Sequence, residues 1–289
     1  MTNEPQPVSQ PAPELQKKKP WLAIVVVLVI IVAVAVGFFV FAARSRQGTG
    51  PVTGGGGGGS SREGSSEIVW QMMGDGEYQP SGTAPTCSSP LVLAAPADLS
   101  KAVSVLYPGQ SRGGNYKPHG GLRFADGENN VTVTAPMDAS VTDGSRYLVD
   151  GEIQYTFDFV NPCGIKYRLG HLRTLSATFA SLAEQFPAAQ DMDSRTTQIN
   201  PPIAVKAGDT VATAVGLLSE GNAFFDFGVY DLRQFNEASV DATFQKVHAD
   251  DQDQAWHAVC WFDLLSTEDE TLIRNLPATA PGSESDYCK

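Results

Sequence analysis

The stretch Trp21–Ala43 constrains this chain most: 23 consecutive residues without a charged side chain, most of them Val, Ile, Leu or Ala. As a helix rising 1.5 Å per residue it covers about 35 Å, enough to cross a hydrocarbon core of about 30 Å. Backbone groups in lipid must be satisfied within their own segment, so the run is predicted to be one transmembrane helix. It exceeds the roughly 7–15 residues of a cleavable signal core and is read as a retained anchor. Trp21 at one end and Phe38, Phe39 and Phe41 at the other suit the two interfaces.

Lys17, Lys18 and Lys19 precede the run, and Arg44 and Arg46 follow it. The excess of positive charge on the N-terminal side predicts a cytoplasmic N-terminus and an extracytoplasmic C-terminal domain. Four segments result: a disordered Pro/Gln-rich tail (1–20), the anchor (21–43), a Gly/Ser-rich tether (44–66) and a folded domain (67–289). A tether of this composition has an end-to-end distance of about 25–30 Å, which keeps the domain near the membrane.

All four cysteines, Cys87, Cys163, Cys260 and Cys288, lie beyond the anchor. An even number in an oxidising compartment predicts disulfides, and no C-x-x-C spacing suggests zinc or redox chemistry. Of the three possible pairings, Cys87 with Cys163 and Cys260 with Cys288 is the expected one, the second stapling the C-terminal tail to the domain. The chain carries a formal charge of −12, and the part beyond residue 67 is more acidic still. That argues against nucleic acid and other polyanions as partners.

Alternating apolar residues predict strands at Leu122–Phe124, Asn130–Ala135, Ser140–Val149, Glu152–Val160, Ile165–Arg173, Val211–Gly216 and Ala223–Tyr230. Asp150-Gly151 between two of them reads as a hairpin turn. Helices are expected from Pro96-Ala97-Asp98 through Val105, over Ser176–Phe186, and over Thr267–Leu276 behind a capping box beginning at Thr267. Asp191–Pro202 reads as a polar loop. The pattern is mainly β, an antiparallel sheet with a few short helices.

Five motifs occur in a familiar order: His119-Gly120-Gly121-Leu122-Arg123; Pro136 to Gly144 with Ala139 between; Gly170-His171-Leu172; Val205-Lys206-Ala207-Gly208-Asp209-Thr210-Val211; and Phe224-Phe225-Asp226. In this order residues 112–232 resemble the lysostaphin/LytM-type zinc endopeptidases of peptidoglycan, the duplicated hybrid motif fold, a barrel-like β sandwich. The resemblance implies zinc held by a first histidine, an Asp four residues on, and the second histidine of H-x-H. Here His119 keeps the first place, Arg123 takes that of the Asp, and Phe224 and Asp226 take those of H-x-H. His171 keeps the place of a histidine that orients or deprotonates the attacking water.

A guanidinium that stays cationic cannot ligate zinc. Arg123 and Asp226 are therefore expected to form an ion pair in place of the metal. The reading that follows is a degenerate module without a cofactor, binding a cell-wall peptide, a partner hydrolase or another envelope protein. The alternative is an active zinc peptidase using His119, Asp226 and a carboxylate from Asp126 or Glu128. His248 and His257 fall outside the motifs, near Asp250, Asp251 and Asp253; the spacing matches no calcium loop, and the stretch reads as a solvated turn. Trp256 and Trp261 read as core around Cys260. Deleting residues 1–43 is expected to move the protein from the membrane pellet to the soluble fraction, which fractionation and immunoblotting would check.

Overall fold

The structure, a computed structural model, describes residues 68–289. The expected tail, anchor and tether lie outside the described residues. Among the described residues no helix is long and apolar enough to cross a membrane.

The strands are β1 (Trp70–Met72), β2 (Tyr78–Pro80), β3 (Ala102–Leu106), β4 (Gln110–Arg112), β5 (Asn115–Lys117), β6 (Gly120–Phe124) and β7 (Val133–Thr134). They continue with β8 (Ala139–Val149), β9 (Glu152–Val160), β10 (Ile165–Leu175), β11 (Thr197–Val205), β12 (Thr210–Val215) and β13 (Phe224–Asp231). The α-helices are α1 (Ala177–Ala183), α2 (Ala242–Val247), α3 (Gln252–Ala255) and α4 (Thr267–Asn275). The main sheet runs β11-β8-β9-β10-β13-β6-β3, with β12 joined to β10 and β7 to β12, all antiparallel. Two small ribbons, β1–β2 and β4–β5, complete the strands described.

Alternation explains how the sheet seats itself. Phe157 and Phe159 of β9, Tyr167 and Leu169 of β10, and Phe225 and Phe227 of β13 are fully buried. Burying each such side chain contributes about 1.5–3 kcal/mol. Phe179 of α1 closes on Phe157 and Phe159 from one side, and Trp261 meets Phe227 from another. The intervening residues, Thr156, Asp158, Arg168, Gly170, Asp226 and Gly228, turn to the opposite face. This second face is polar yet largely covered: Gln154 and Tyr230 are both 0 % exposed.

The Asp150-Gly151 turn joins β8 to β9 with Val149 opposite Glu152. Both turn residues have positive φ, 50° and 79°, the twist that a two-residue hairpin requires.

Several elements differ from expectation. The helix expected from Asp98 is one 3-10 turn, Leu99–Lys101, capped by Asp98, and the chain then extends as β3. Ala102 and Val105 face inward while Val103 is exposed, so side-chain packing against β6 decides the outcome. The polar loop contains β11, which pairs with β8 at the sheet edge; its register breaks between Gln198 and Ile203, across Asn200-Pro201-Pro202. Prolines cannot donate to a ladder and are tolerated at such an edge. Helix α1 is shorter than expected, and Ser176 makes no side-chain cap bond. The cap of α4 is Ser266, whose Oγ accepts from the Asp269 amide at 3.2 Å and donates to its carboxylate at 2.9 Å. The cap thus lies one residue early, and the Asp269 carboxylate accepts from the Ser266 hydroxyl where a reciprocal box would use the Ser266 amide. The stretch around His248 forms α2 and α3 with a 3-10 turn between them.

Cys87 is bonded to Cys163 and Cys260 to Cys288, 76 and 28 residues apart in sequence. Loop-closure entropy assigns about 4–5 kcal/mol to the longer loop and about 3–4 kcal/mol to the shorter. Replacing Cys87 and Cys163 together by Ala should therefore lower the urea midpoint more than replacing Cys260 and Cys288, as equilibrium denaturation followed by fluorescence would show.

Candidate functional site

The polar face of the sheet carries the site, and glycines make room for it. On β13, Asp226 lies opposite Gly121 of β6 on one side and Gly170 of β10 on the other. A Cβ on Gly121 would stand 2.3 Å from the Phe225 carbonyl oxygen. One on Gly228 would stand 2.8 Å from the His119 Cβ. The strands can therefore close around Asp226 only with hydrogen at these positions.

His119 sits on the turn between β5 and β6, and its carbonyl accepts from Arg112 Nη2 at 2.8 Å. Its Nε2 lies 3.1 Å from Asp226 Oδ2, a hydrogen-bond distance.

His171 reaches the same oxygen by a different device. β9 pairs with β10 at Phe157–Leu169 and next at Tyr155–Leu172, so Gly170 and His171 together oppose Thr156 alone. This is a β-bulge, and His171 adopts φ 54° within it. Strict alternation would send His171 to the core. The extra residue instead returns Leu172 to the core, 0 % exposed, and leaves His171 Nε2 3.5 Å from Asp226 Oδ2. That separation is an electrostatic contact more than a full hydrogen bond. Phe224 packs on the His171 ring at 4.5 Å between centroids.

Burial alone would raise the Asp226 carboxyl, but the adjoining His119 and His171 imidazoles, with Arg112 beyond them, hold it well below the usual carboxylate range. Burial lowers the His171 imidazole, and Asp226 opposes this only in part. The structure thus favours a neutral His171 beside an ionised Asp226. Tyr147, edge-on to His171 at 6.1 Å, is pushed up to about 12 by burial and remains a phenol.

Arg123 does not pair with Asp226. Register places it opposite Phe224, one position outward, and its Nη2 donates to Asn222 Oδ1 at 2.8 Å. The expected ion pair across the site is replaced by two imidazoles on one carboxylate.

The ligand set implied by the resemblance does not fit here. Arg123, cationic at the place that the resemblance gives to the second ligand, turns away to Asn222. The Nδ1 atoms of His119 and His171 are both buried without a hydrogen-bond partner, whereas a zinc-ligating histidine donates its second ring N–H to a neighbouring acceptor. Asp126 and Glu128 are exposed on the loop after β6. Among the described residues no group of three or more His, Cys, Asp or Glu side chains is disposed to hold a metal ion, and this includes the acidic stretch near His248.

A cavity of about 570 Å³ opens beside His119, with Lys117 and Arg195 among its cationic lining residues and Asp251 and Asp253 among its anionic ones. Arg112 and Asn222 carry no sequence signal that would have marked them. His257 is a structural tie: its ring nitrogens face the carbonyl oxygens of Gly76 at 2.9 Å and of Gln234 at 3.0 Å. Trp256 and Trp261 are buried, as expected of core residues.

Comparison with family models, with curated proteins and with solved structures finds no match for this chain.

The two shifts give a pH dependence with a definite sign. Folded His171 resists protonation, so below about pH 6.5 the unfolded chain takes up the proton and stability falls as pH drops. Asp226, held low when folded, contributes stability that is fully present above about pH 4 and is lost as pH falls toward its folded value. The stability gap between wild type and His171→Gln should narrow from pH 7 to 5, and that between wild type and Asp226→Asn only below about pH 4. Urea denaturation across pH 3–8 would check both; gaps that stay constant with pH would contradict the assignment.

Proposed function

We propose that this domain is a degenerate lysostaphin/LytM-like module, tethered outside the membrane, that binds a cell-wall peptide in the cleft beside His119 and does not cleave it. One observation carries the reading: His119 and His171 both address Asp226 directly, and Arg123, which stands in the place of a metal-ligating carboxylate, is engaged by Asn222. A catalytic zinc wants three protein ligands and an open position, and a guanidinium at the place of one of them supplies none. Of His119, His171 and Asp226, His119 also lines the cleft.

The cleft lining supports a peptide as the ligand. Lys117 and Arg195 together with Asp251 and Asp253 provide both signs of charge, which suits a chain bearing carboxylate and ammonium groups. The acidity of the domain weighs against a polyanionic glycan or teichoic-type polymer. Binding of this kind fits a regulator of wall hydrolases better than a hydrolase.

The test is a paired measurement on the purified protein. Elemental analysis should find far less than one zinc per chain. Sedimentation with purified peptidoglycan should show binding without release of soluble fragments, weakened in His119→Ala and in His171→Ala. One zinc per chain with chelator-sensitive cleavage would overturn the proposal.

A further inference from the structure

A second cavity, of about 310 Å³, shares no lining residue with the cleft beside His119. Trp70 and Tyr78 of the β1–β2 ribbon contribute to its walls, with Ile199 of β11 and with Asp143 of β8 and Lys166 of β10. This volume is at the small end of ligand sites, and its mixture of aromatic, aliphatic and a few charged groups is typical of them.

The charges around it are paired unevenly. Lys166 Nζ lies 3.2 Å from Asp158, and Arg168 binds the same carboxylate through Nε at 2.6 Å and Nη2 at 2.7 Å. Both cations are thereby in direct contact with one buried acid. Asp143 is left without an ion-pair partner among the described residues, as is Asp253, whose main-chain carbonyl faces the Tyr78 hydroxyl at 3.5 Å. Burial, with Asp158 nearby, pushes the Asp143 carboxyl up against a hydrogen bond from Thr142 and the fields of Lys166 and Arg168. Burial and the fields of Asp253, Asp158 and Asp143 push the Tyr78 phenol up. Two acids, Asp143 and Asp158, thus face two cations, and the ion-pair contacts of both cations go to Asp158.

We propose that this cavity is a second binding site that takes an aliphatic ammonium group, with Asp143 as its counter-ion and Trp70, Tyr78 and Ile199 as walls for the carbon stem. A cation there gains a charge-assisted hydrogen bond to the carboxylate and attraction to aromatic rings. A four-carbon stem fits the volume, so the ligand class is a lysine-like side chain or a short alkylamine. The site stands independently of what the cleft beside His119 binds.

Isothermal titration calorimetry on the full-length chain in detergent tests this, with Nα-acetyl-lysinamide and Nα-acetyl-norleucinamide as probes. The two differ only in the terminal ammonium. Saturable binding of the lysine probe, at least about tenfold tighter than the norleucine probe, is expected, with that preference lost in Asp143→Asn. Equal affinity for the two probes, no saturable binding of the lysine probe, or an unchanged preference in Asp143→Asn would overturn the proposal. The probe comparison on the wild type decides the matter even if Asp143→Asn fails to fold.

Discussion

The bulge at Gly170-His171 is the constraint on which both the sheet and the site depend. Up to Gly170, β10 pairs with β13, its last partner there being Asp226; from Leu172 it pairs with β12 through Val215. One strand thus serves two neighbours in succession, and the change of partner occurs where His171 takes φ 54°. The Gly216 amide donates to the His171 carbonyl at 2.9 Å and fixes the far side of the pivot. A left-handed conformation at a residue with a full side chain costs of order 1–3 kcal/mol and persists only when its surroundings over-determine it. Here the two ladders supply that determination, and the result is an imidazole delivered to a carboxylate on the adjacent strand.

The polar face of the sheet holds a buried acid, Asp158, and a half-buried one, Asp226, solved in opposite ways. Asp158 has two permanent cations, Lys166 and Arg168, and the latter grips it with two hydrogen bonds. Such a pair is costly to break, because the survivor would be a buried, uncompensated charge. Asp226 has two imidazoles, which are cationic only when protonated. The first arrangement is a fixed brace across β9 and β10. The second responds to pH, and one of its members, His119, lines a cleft, which separates a structural acid from a site acid on one surface.

Much of this was legible in the sequence where side chains alternate cleanly. β8, β9, β10 and β13 announce themselves through Val141, Phe157, Phe159, Tyr167, Leu169, Phe225 and Phe227, and Asp150-Gly151 marks the turn between the first two. β11 was hidden because Asn200-Pro201-Pro202 looks like loop, and only an edge position with an interrupted register accommodates it. β3 was hidden by a convincing helix start at Asp98, whose cap serves a single 3-10 turn before packing on β6 takes over. The C-terminal helices around His248 bury few side chains, so no apolar stripe marked them.

The site was legible to a lesser degree, for two local reasons. Alternation places Arg123 on the same face as Asp226 but cannot say which way a long side chain swings, and Asn222, on the outer side, captures the guanidinium. A bulge leaves no periodic trace, so alternation alone assigns His171 to the core, and only the Gly-His-Leu resemblance drew attention to it. With Arg123 drawn outward, Asp226 has no strong permanent cation in direct contact and must be held by His119 and His171. The Arg123 guanidinium thus adds no direct counter-charge to Asp226, and the two imidazoles carry the electrostatics of the site.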